Sequence, residues 1–216
     1  MIRRQLARIK RKLRSKPYTK DKRYPAYWFN EMLGGSEAFL VQIGSNDGKT
    51  GDPLYPLFQK NKQWKGLLVE PIPYFFEKLQ ANYSNTTRFQ LENVAINEGR
   101  KMTFYWVDQK AKINFPDLPF WFEQLGSFDK NHILKELGDK IQPYIQESDL
   151  EGITVDELLN RNEVSKIDIL HIDAEGYDWK ILSQFDLKRY CPKFILFEFH
   201  HLDDIELNNT LIFLAN

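Results

Sequence analysis

Polar side chains suited to ligand binding follow the first two apolar runs of the sequence. The run at 39–43 (FLVQI) leads into Gly44-Ser45-Asn46-Asp47-Gly48, a turn of small residues that lets a ligand approach the backbone closely. Glu70 ends the next run, 66–70 (GLLVE), where a carboxylate can accept both hydroxyls of a ribose. Either feature alone also fits a tight strand-to-helix turn or a helix-capping acid. Together they predict a nucleoside cofactor.

The spacing of the glycines narrows the choice of cofactor. Nicotinamide dinucleotides and S-adenosylmethionine both suit a glycine turn followed by an acid. The turn at 44–48 departs from the three-glycine fingerprint that seats a pyrophosphate. It therefore favours the cofactor without phosphates, S-adenosylmethionine.

Two later apolar runs end in residues that can move a proton. Chemistry on a hydroxyl group needs a carboxylate or imidazole within reach to accept its proton. His171 and Asp173 close one run, and Glu198 and His200 close the next. Residues two apart on a strand point to the same face of a sheet, so we expect these four side chains in one cleft. Asp173 is the favoured base, followed by His200, because a histidine such as His171 on a buried strand is more often a hydrogen-bonded core residue.

The same four side chains offer oxygen and nitrogen ligands for a divalent ion. The sequence contains no compact ligand motif such as His-Glu-x-x-His, and S-adenosylmethionine chemistry does not require a metal. We therefore predict no metal site.

Alternating strand-like and helix-like segments must position these residues. Apolar runs predict strands at 39–43, 66–70, 89–96, 102–107, 167–173 and 194–199. Helices are predicted from Asp52-Pro53, from Pro73, after the Thr154/Glu157 capping box, over 177–185 and over 203–214. This alternation predicts one domain with a mostly parallel sheet, helices on both faces, and ligands at the carboxyl ends of the strands.

An aromatic segment at 114–127 interrupts this alternation. It contains prolines and has no clear period, as expected of a lid or substrate loop. Its Phe120, Trp121 and Phe122, with Tyr144, could stack on a sugar or aromatic acceptor, although such side chains more often fill a core.

The order of the motifs resembles a known family. The segments VQIGSNDG, LLVEP, ENVAI, ITVDELL, IDILHIDAEGYD and ILFEFHH follow one another as in FkbM-type methyltransferases, over about residues 37–212. The resemblance implies a Rossmann-like class I fold and an S-adenosylmethionine-dependent O-methyltransferase acting on a saccharide, glycolipid or secondary metabolite. It also implies roles for site residues: the methionine part of the cofactor near Gly44, Ser45, Asn46 and Asp47, the ribose on Glu70, the adenine beside Asn93 and Ala95, and the transferred methyl beside Asp173 and Glu175.

One position departs from the family pattern. Where these enzymes usually carry an acid two residues before the first glycine, this chain has Gln42. Gln42 can hydrogen-bond the ammonium of the cofactor but brings no charge. Either the cofactor binds less tightly, or Gln42 is an ordinary strand residue and another acid supplies the charge.

A basic segment precedes a body of opposite charge. Residues 1–23, the basic arm, hold eleven Lys or Arg and one acid, so they carry +10 and the remaining residues, 24–216, carry −10. Apolar residues at helical spacing within it predict an amphipathic helix: Ile2, Leu6, Ile9 and Leu13. Residues 1–16 either contact anionic membranes weakly or form a solvated tail. The acidic body disfavours nucleic acid as a partner.

The remaining composition bears on location and alternatives. No apolar run approaches the roughly 20 residues of a membrane span, and no secretory signal follows the basic arm. A single cysteine, Cys191, excludes an intrachain disulfide and indicates a reducing compartment, so we expect a cytoplasmic protein, peripheral to the membrane at most. An RNA or protein methyltransferase and a noncatalytic binding module are the alternatives.

Enzymes of this fold usually add an antiparallel strand pair after the fifth strand. Here only one helix, at 203–214, is predicted after the run FILFEF. We therefore expect this strand pair to be missing and FILFEF to lie at an open sheet edge.

Overall fold

The computed structural model describes residues 23–215 and is organised around a five-stranded sheet. Its strands are β1 (Phe39–Ile43), β2 (Lys65–Val69), β3 (Phe89–Glu92), β8 (Ile169–Ile172) and β9 (Phe194–Phe197). The spatial order is β3-β2-β1-β8-β9, and every neighbouring pair is parallel. The strand order reverses between β1 and β8, and ligands bind at such switch points in parallel sheets.

Helices cover both faces of this sheet because its strand residues alternate between two apolar clusters. On one face, Leu40 and Leu68 pack against α1 (Pro25–Leu33), α2 (Tyr55–Lys60) and α3 (Pro73–Tyr83). On the other, Val41 and Leu67 pack against α6 (Val155–Arg161), α7 (Asp178–Leu182) and α8 (Leu187–Tyr190), while α9 (Asp204–Ala215) adds Phe213 to this cluster. The predicted parallel α/β architecture is confirmed.

A second, mixed sheet is inserted between β3 and β8. Its strands are β4 (Ala95–Ile96), β5 (Lys101–Val107), β6 (Gly126–Ser127) and β7 (Ile145–Ile153), in the order β4-β7-β5-β6. β5 is antiparallel to β6 and β7, whereas β4 is parallel to β7. The connections contain α4 (Ala111–Asn114), α5 (Lys130–Leu137) and 3-10 turns at Phe122–Gln124 and Asp139–Tyr144. Residues 95–153 are called the inserted segment below.

The predicted boundaries near the first two strands were partly wrong. The run at 89–96 is not one strand, because β3 and β4 belong to different sheets and the chain changes sheet at Asn93. The second helix begins at Tyr55 rather than at Pro53, because Asp52 accepts the Leu54 amide at 2.7 Å in a turn before the helix. The Thr154 cap is confirmed, with its hydroxyl accepting the Glu157 amide at 3.2 Å.

The predictions for the two ends of the chain are tested to different extents. β9 lies at an edge of the sheet among residues 23–215, as predicted for FILFEF, whereas the missing strand pair stays a prediction. The basic arm lies outside the described residues except for Arg23, so its amphipathic helix also stays a prediction. Within 23–215, no helix has the length and apolar character that crossing a membrane requires.

Candidate active site

The glycine turn after β1 brings three strand ends together. Gly44 has a φ of 80°, and a Cβ atom on it would lie 2.0 Å from the carbonyl oxygen of Asp173. The amides of Gly44 and Ser45 both donate to the carbonyl oxygen of Val69, at 3.0 and 2.9 Å. A side chain at position 44 would separate these strands, so glycine is required for the carboxyl ends of β1, β2 and β8 to meet.

Glu70 lies buried at the end of β2 and holds two turns in place. Its carboxylate accepts the amides of Asn46 and Ile72, each at 2.8 Å. Burial raises the pKa of Glu70 to about 7, although these two hydrogen bonds favour its charged form. Each carboxylate oxygen has a second lone pair for a ligand. The predicted ribose-binding residue therefore lines the site and also fixes its backbone.

Two cavities meet at this edge of the sheet and form one elongated cleft. The apolar cavity lies between Ile72, Val94 and Phe104. The polar cavity is lined by side chains that include Gln42, Asp52 and His171. Five residues line both cavities and mark their junction: Gly44, Asn46, Gln124, Asp173 and Glu175.

The structure brings most of the predicted cofactor residues to this cleft. Six of them line it: Gln42, Gly44, Ser45, Asn46, Glu70 and Ala95. Asp47 instead closes the glycine turn by accepting the amides of Lys49 and Thr50 at 2.9 and 2.6 Å. Asn93 donates to the carbonyl oxygens of Glu70 and Pro71 at 2.7 and 3.1 Å. These two residues shape the neighbouring loops and do not line either cavity.

The polar cavity contains an acid close to Gln42. Gln42 Nε2 donates to Asp52 Oδ2 at 3.3 Å, while Gln42 Oε1 has no hydrogen-bond partner among residues 23–215. Burial raises the pKa of Asp52 to about 7 and lowers that of His171 to about 4. A cationic group in this cavity would satisfy Gln42 Oε1 and favour the charged form of Asp52. Asp52, which sequence reasoning took only as a helix cap, thus brings a buried carboxylate next to Gln42.

Acids and imidazoles converge on the other side of the cavity junction. We call this set the acid-imidazole cluster; its members are His132, Asp173, Glu175, Glu198 and His201. The ligand atoms of Asp173, Glu175 and Glu198 lie within 4.8 Å of one another, as do those of His132, Glu175 and His201. Glu175 has a φ of 47°, and a non-glycine residue in this left-handed conformation is often found at a functional site.

Asp178 and Ser127 hold the loop that carries Glu175. The buried Asp178 carboxylate accepts the amides of Ala174, Gly176 and Glu198 at 3.4, 3.3 and 3.2 Å, linking the ends of β8 and β9. Burial, and after it the charge of Asp173, raises the pKa of Asp178 well above its usual range. Ser127 on β6 donates to the Glu175 carbonyl oxygen at 3.1 Å, so the inserted segment also supports this loop.

His200, the second predicted base, does not join the cluster. Its exposed ring stacks on Phe199 with centroids 4.6 Å apart. The prediction assumed a strand that continues to Phe199, but β9 ends at Phe197 and the chain then turns. Residues three apart, rather than two apart, therefore face each other, and His201 Nε2 lies 3.5 Å from Glu198 Oε2.

The other member of the acid-imidazole cluster that the sequence did not reveal, His132, lies on α5. Two features of the sequence could have predicted this helix. One is the cap by Asp129, and the other is the helical spacing of the apolar residues Ile133, Leu134 and Leu137. Nothing local places the helix at the cleft.

The aromatic segment 114–127 contributes both to a core and to the cleft. Phe122 is buried, Trp121 and Tyr144 pack against the same cluster, and Phe120 is 61% exposed. Gln124, which lines both cavities, donates to the carbonyl oxygen of Thr50 at 3.1 Å. The segment thus crosses between the two walls of the cleft, while a role as a lid stays a prediction.

Comparison with known proteins identifies the family. The methyltransferase FkbM domain matches residues 42–212, a range that contains the glycine turn, Glu70, the inserted segment and the acid-imidazole cluster. No curated protein and no solved structure matches the chain. Because the domain match covers most of the sequence, the chain belongs to the FkbM methyltransferase domain family and is a methyltransferase.

Proposed function

We propose that the protein transfers a methyl group from S-adenosylmethionine to a hydroxyl of a saccharide, glycolipid or related secondary metabolite. The observation that carries this proposal is one cleft with two chemically different cavities, whose junction at Asp173 and Glu175 opens to the acid-imidazole cluster. The family resemblance supports the acceptor class, and the cleft supports the cofactor.

The two cavities suit the two ends of S-adenosylmethionine. The apolar cavity suits a flat base between Ile72 and Val94, with Glu70 at its edge for the ribose hydroxyls. The polar cavity suits the methionine part, whose ammonium would take the unpartnered Gln42 Oε1 and the charge of Asp52. The sulfonium methyl then falls near the junction of the cavities.

The junction provides a proton acceptor for an in-line displacement. The hydroxyl oxygen of the acceptor forms a bond to the methyl carbon as the bond between sulfur and that carbon breaks, leaving the electron pair on sulfur. Asp173 takes the hydroxyl proton, Glu175 lies beside it as predicted for a residue near the methyl, and His201 supplies the imidazole that was predicted to come from His200. A catalyst needs such a base within reach of the methyl, whereas a noncatalytic binding module does not.

The predicted surroundings of the enzyme remain part of this proposal. A single exposed cysteine, Cys191, suits the reducing cytoplasm, and the basic arm suits weak contact with anionic lipid. Both are consistent with an acceptor that is a glycan or glycolipid precursor.

Calorimetry on the full chain tests the cofactor. We expect binding of S-adenosylhomocysteine and no binding of NAD, because the turn offers no seat for a pyrophosphate. Glu70→Ala should weaken S-adenosylhomocysteine by roughly 1 to 3 kcal/mol through lost charge-assisted contacts. Tight NAD binding without a response to S-adenosylhomocysteine would overturn the proposal. Incubation with labelled S-adenosylmethionine and cell extract, followed by mass spectrometry of the labelled product, identifies the acceptor.

A further inference from the structure

The acid-imidazole cluster has the separations of metal ligands. His132 Nε2 and His201 Nε2 lie 3.4 and 3.6 Å from Glu175 Oε2, and His201 Nε2 lies 3.5 Å from Glu198 Oε2. Charge-assisted hydrogen bonds between nitrogen and a carboxylate are shorter, about 2.7 to 2.9 Å. Two atoms that each bind a tetrahedral ion at about 2.1 Å lie about 3.4 Å apart. The observed spacing therefore leaves room for an ion among these atoms.

The cluster is also buried, unlike an acidic patch on a surface. The side chains of His132, Glu175, Glu198 and His201 are 8 to 10% exposed. Among the described residues, His201 Nε2 has no hydrogen-bond partner, although it faces two carboxylates. A buried imidazole nitrogen without a hydrogen bond costs free energy, and so does the convergence of the Asp173, Glu175 and Glu198 carboxylates. A bound cation would relieve both costs.

We propose that His132, Glu175 and His201 bind one divalent first-row transition-metal ion, with Glu198 and Asp173 as adjacent carboxylates. Two imidazoles and a carboxylate suit Zn²⁺, Mn²⁺, Fe²⁺ or Co²⁺, whereas Mg²⁺ favours oxygen ligands alone. The sequence predicted no metal because no compact motif is present. The ligands instead come from α5, the loop after β8 and the turn after β9, with His132 and Glu175 43 residues apart.

Three protein ligands leave a coordination position open for an oxygen of the acceptor. The ion lowers the pKa of the acceptor hydroxyl, whose proton passes to Asp173. The oxygen then forms a bond to the methyl carbon, and the bond from carbon to sulfur breaks with its electrons on sulfur. This catalytic role rests on the proposed function, whereas the metal site itself does not.

Metal titration of the untagged full chain tests the site directly. The chain should carry Cys191→Ser, because this exposed thiol is a competing ligand. We expect one Zn²⁺ or Co²⁺ per chain by calorimetry, and intense visible absorption bands of Co²⁺ in a low-symmetry site. His132→Gln and His201→Gln should each weaken binding by about tenfold or more. His200→Gln is the matched control, because its exposed ring lies next to His201 in sequence but outside the cluster; it should keep the affinity.

Four outcomes decide between a site and adventitious binding. Absence of stoichiometric binding by the Cys191→Ser chain overturns the proposal, and so does equal affinity of the His201→Gln and His200→Gln chains. X-ray absorption at the zinc edge needs no histidine variant, so it decides even where a variant fails to fold. A zinc spectrum that shows scattering from two imidazole ligands supports the site, and a first coordination shell of oxygen atoms alone overturns it.

A parallel measurement of S-adenosylhomocysteine binding separates this inference from the proposed function. If the chain binds S-adenosylhomocysteine but no stoichiometric metal, only the metal site is overturned. Metal bound without S-adenosylhomocysteine overturns the proposed function and leaves the metal site standing.

Discussion

The two sides of the cleft are built in different ways. On the cofactor side, the glycine turn and Glu70 come from one β1-α2-β2 unit, and their key contact joins Asn46 to Glu70, 24 residues apart. Backbone amides and a glycine determine its shape. The acid-imidazole cluster joins α5, the loop after β8 and the turn after β9, and its shape depends on side chains. A local motif therefore encodes the glycine turn and Glu70 on the cofactor side, whereas only the complete fold assembles the cluster.

The largest expected effect comes from removing one charge at the junction of the two sides. Asp173→Asn deletes the proposed proton acceptor and preserves side-chain volume, so kcat should fall by about 100-fold or more. Affinity for S-adenosylhomocysteine, whose sulfur is uncharged, should stay near the wild-type value. Asp149→Asn is the matched control, since its exposed carboxylate lies on β7 and pairs with Lys101. Unchanged turnover of Asp173→Asn would show that the proton leaves by another route.

Neighbouring histidines provide the next test of the comparison. His201→Gln should lower kcat by about ten- to a hundredfold, because it removes an imidazole in contact with Glu175 and Glu198. His200→Gln, which changes an exposed ring, should have a much smaller effect. Steady-state kinetics and S-adenosylhomocysteine affinity should be measured for both. A larger loss of kcat in His200→Gln than in His201→Gln would favour His200 as the base, as the sequence predicted, over the arrangement that the turn after β9 produces.

These two histidines also show how far the sequence could predict the site. Gly44 and Glu70 were predictable because each follows directly from a short apolar run, and strand ends in a parallel sheet meet at one edge. His201 was not, since the alternation of a strand was extended past Phe197, where the backbone turns. His132 requires knowing where the inserted segment folds back. β7 was missed because its exposed, polar residues give no apolar run. It forms a strand because it pairs with β5.

Asp52 tests the cofactor side through its charge and the pH dependence of stability. Because burial raises its pKa from 3.8 to about 7, the folded chain holds a proton that the unfolded chain releases between these values. The contribution of Asp52 to stability therefore falls as pH rises through that window. The change in the free energy of unfolding caused by Asp52→Asn should therefore be more favourable at pH 8 than at pH 4, by on the order of 1 to 3 kcal/mol. Gln42 can rotate its amide so that Oε1 accepts from the new side chain.

The same substitution should weaken binding of the amino-acid part of the cofactor and leave binding of the adenosine part unchanged. Affinity for S-adenosylhomocysteine should fall about tenfold, or roughly 1.4 kcal/mol, because the ammonium loses its opposite charge. Affinity for adenosine, which has no amino-acid part and needs only the apolar cavity and Glu70, should not change. Calorimetry with both ligands at pH 8 makes this comparison. An equal loss for adenosine would show that Asp52 acts through the backbone of the turn it forms with Leu54.

The smallest effect is expected from the basic arm, of which only Arg23 lies within the described residues. Deleting residues 1–16 removes eight of the eleven basic residues of the arm and should leave turnover on a water-soluble acceptor unchanged. Binding to phosphatidylserine liposomes should weaken, because each Lys or Arg near an anionic surface contributes about 1 kcal/mol. Sedimentation at low salt should show the difference, and high salt should abolish it through screening. Liposomes of phosphatidylcholine alone are the control. Equal pelleting of both chains would make the arm a solvated tail, and a loss of turnover on deletion would mean that the cleft depends on a third region.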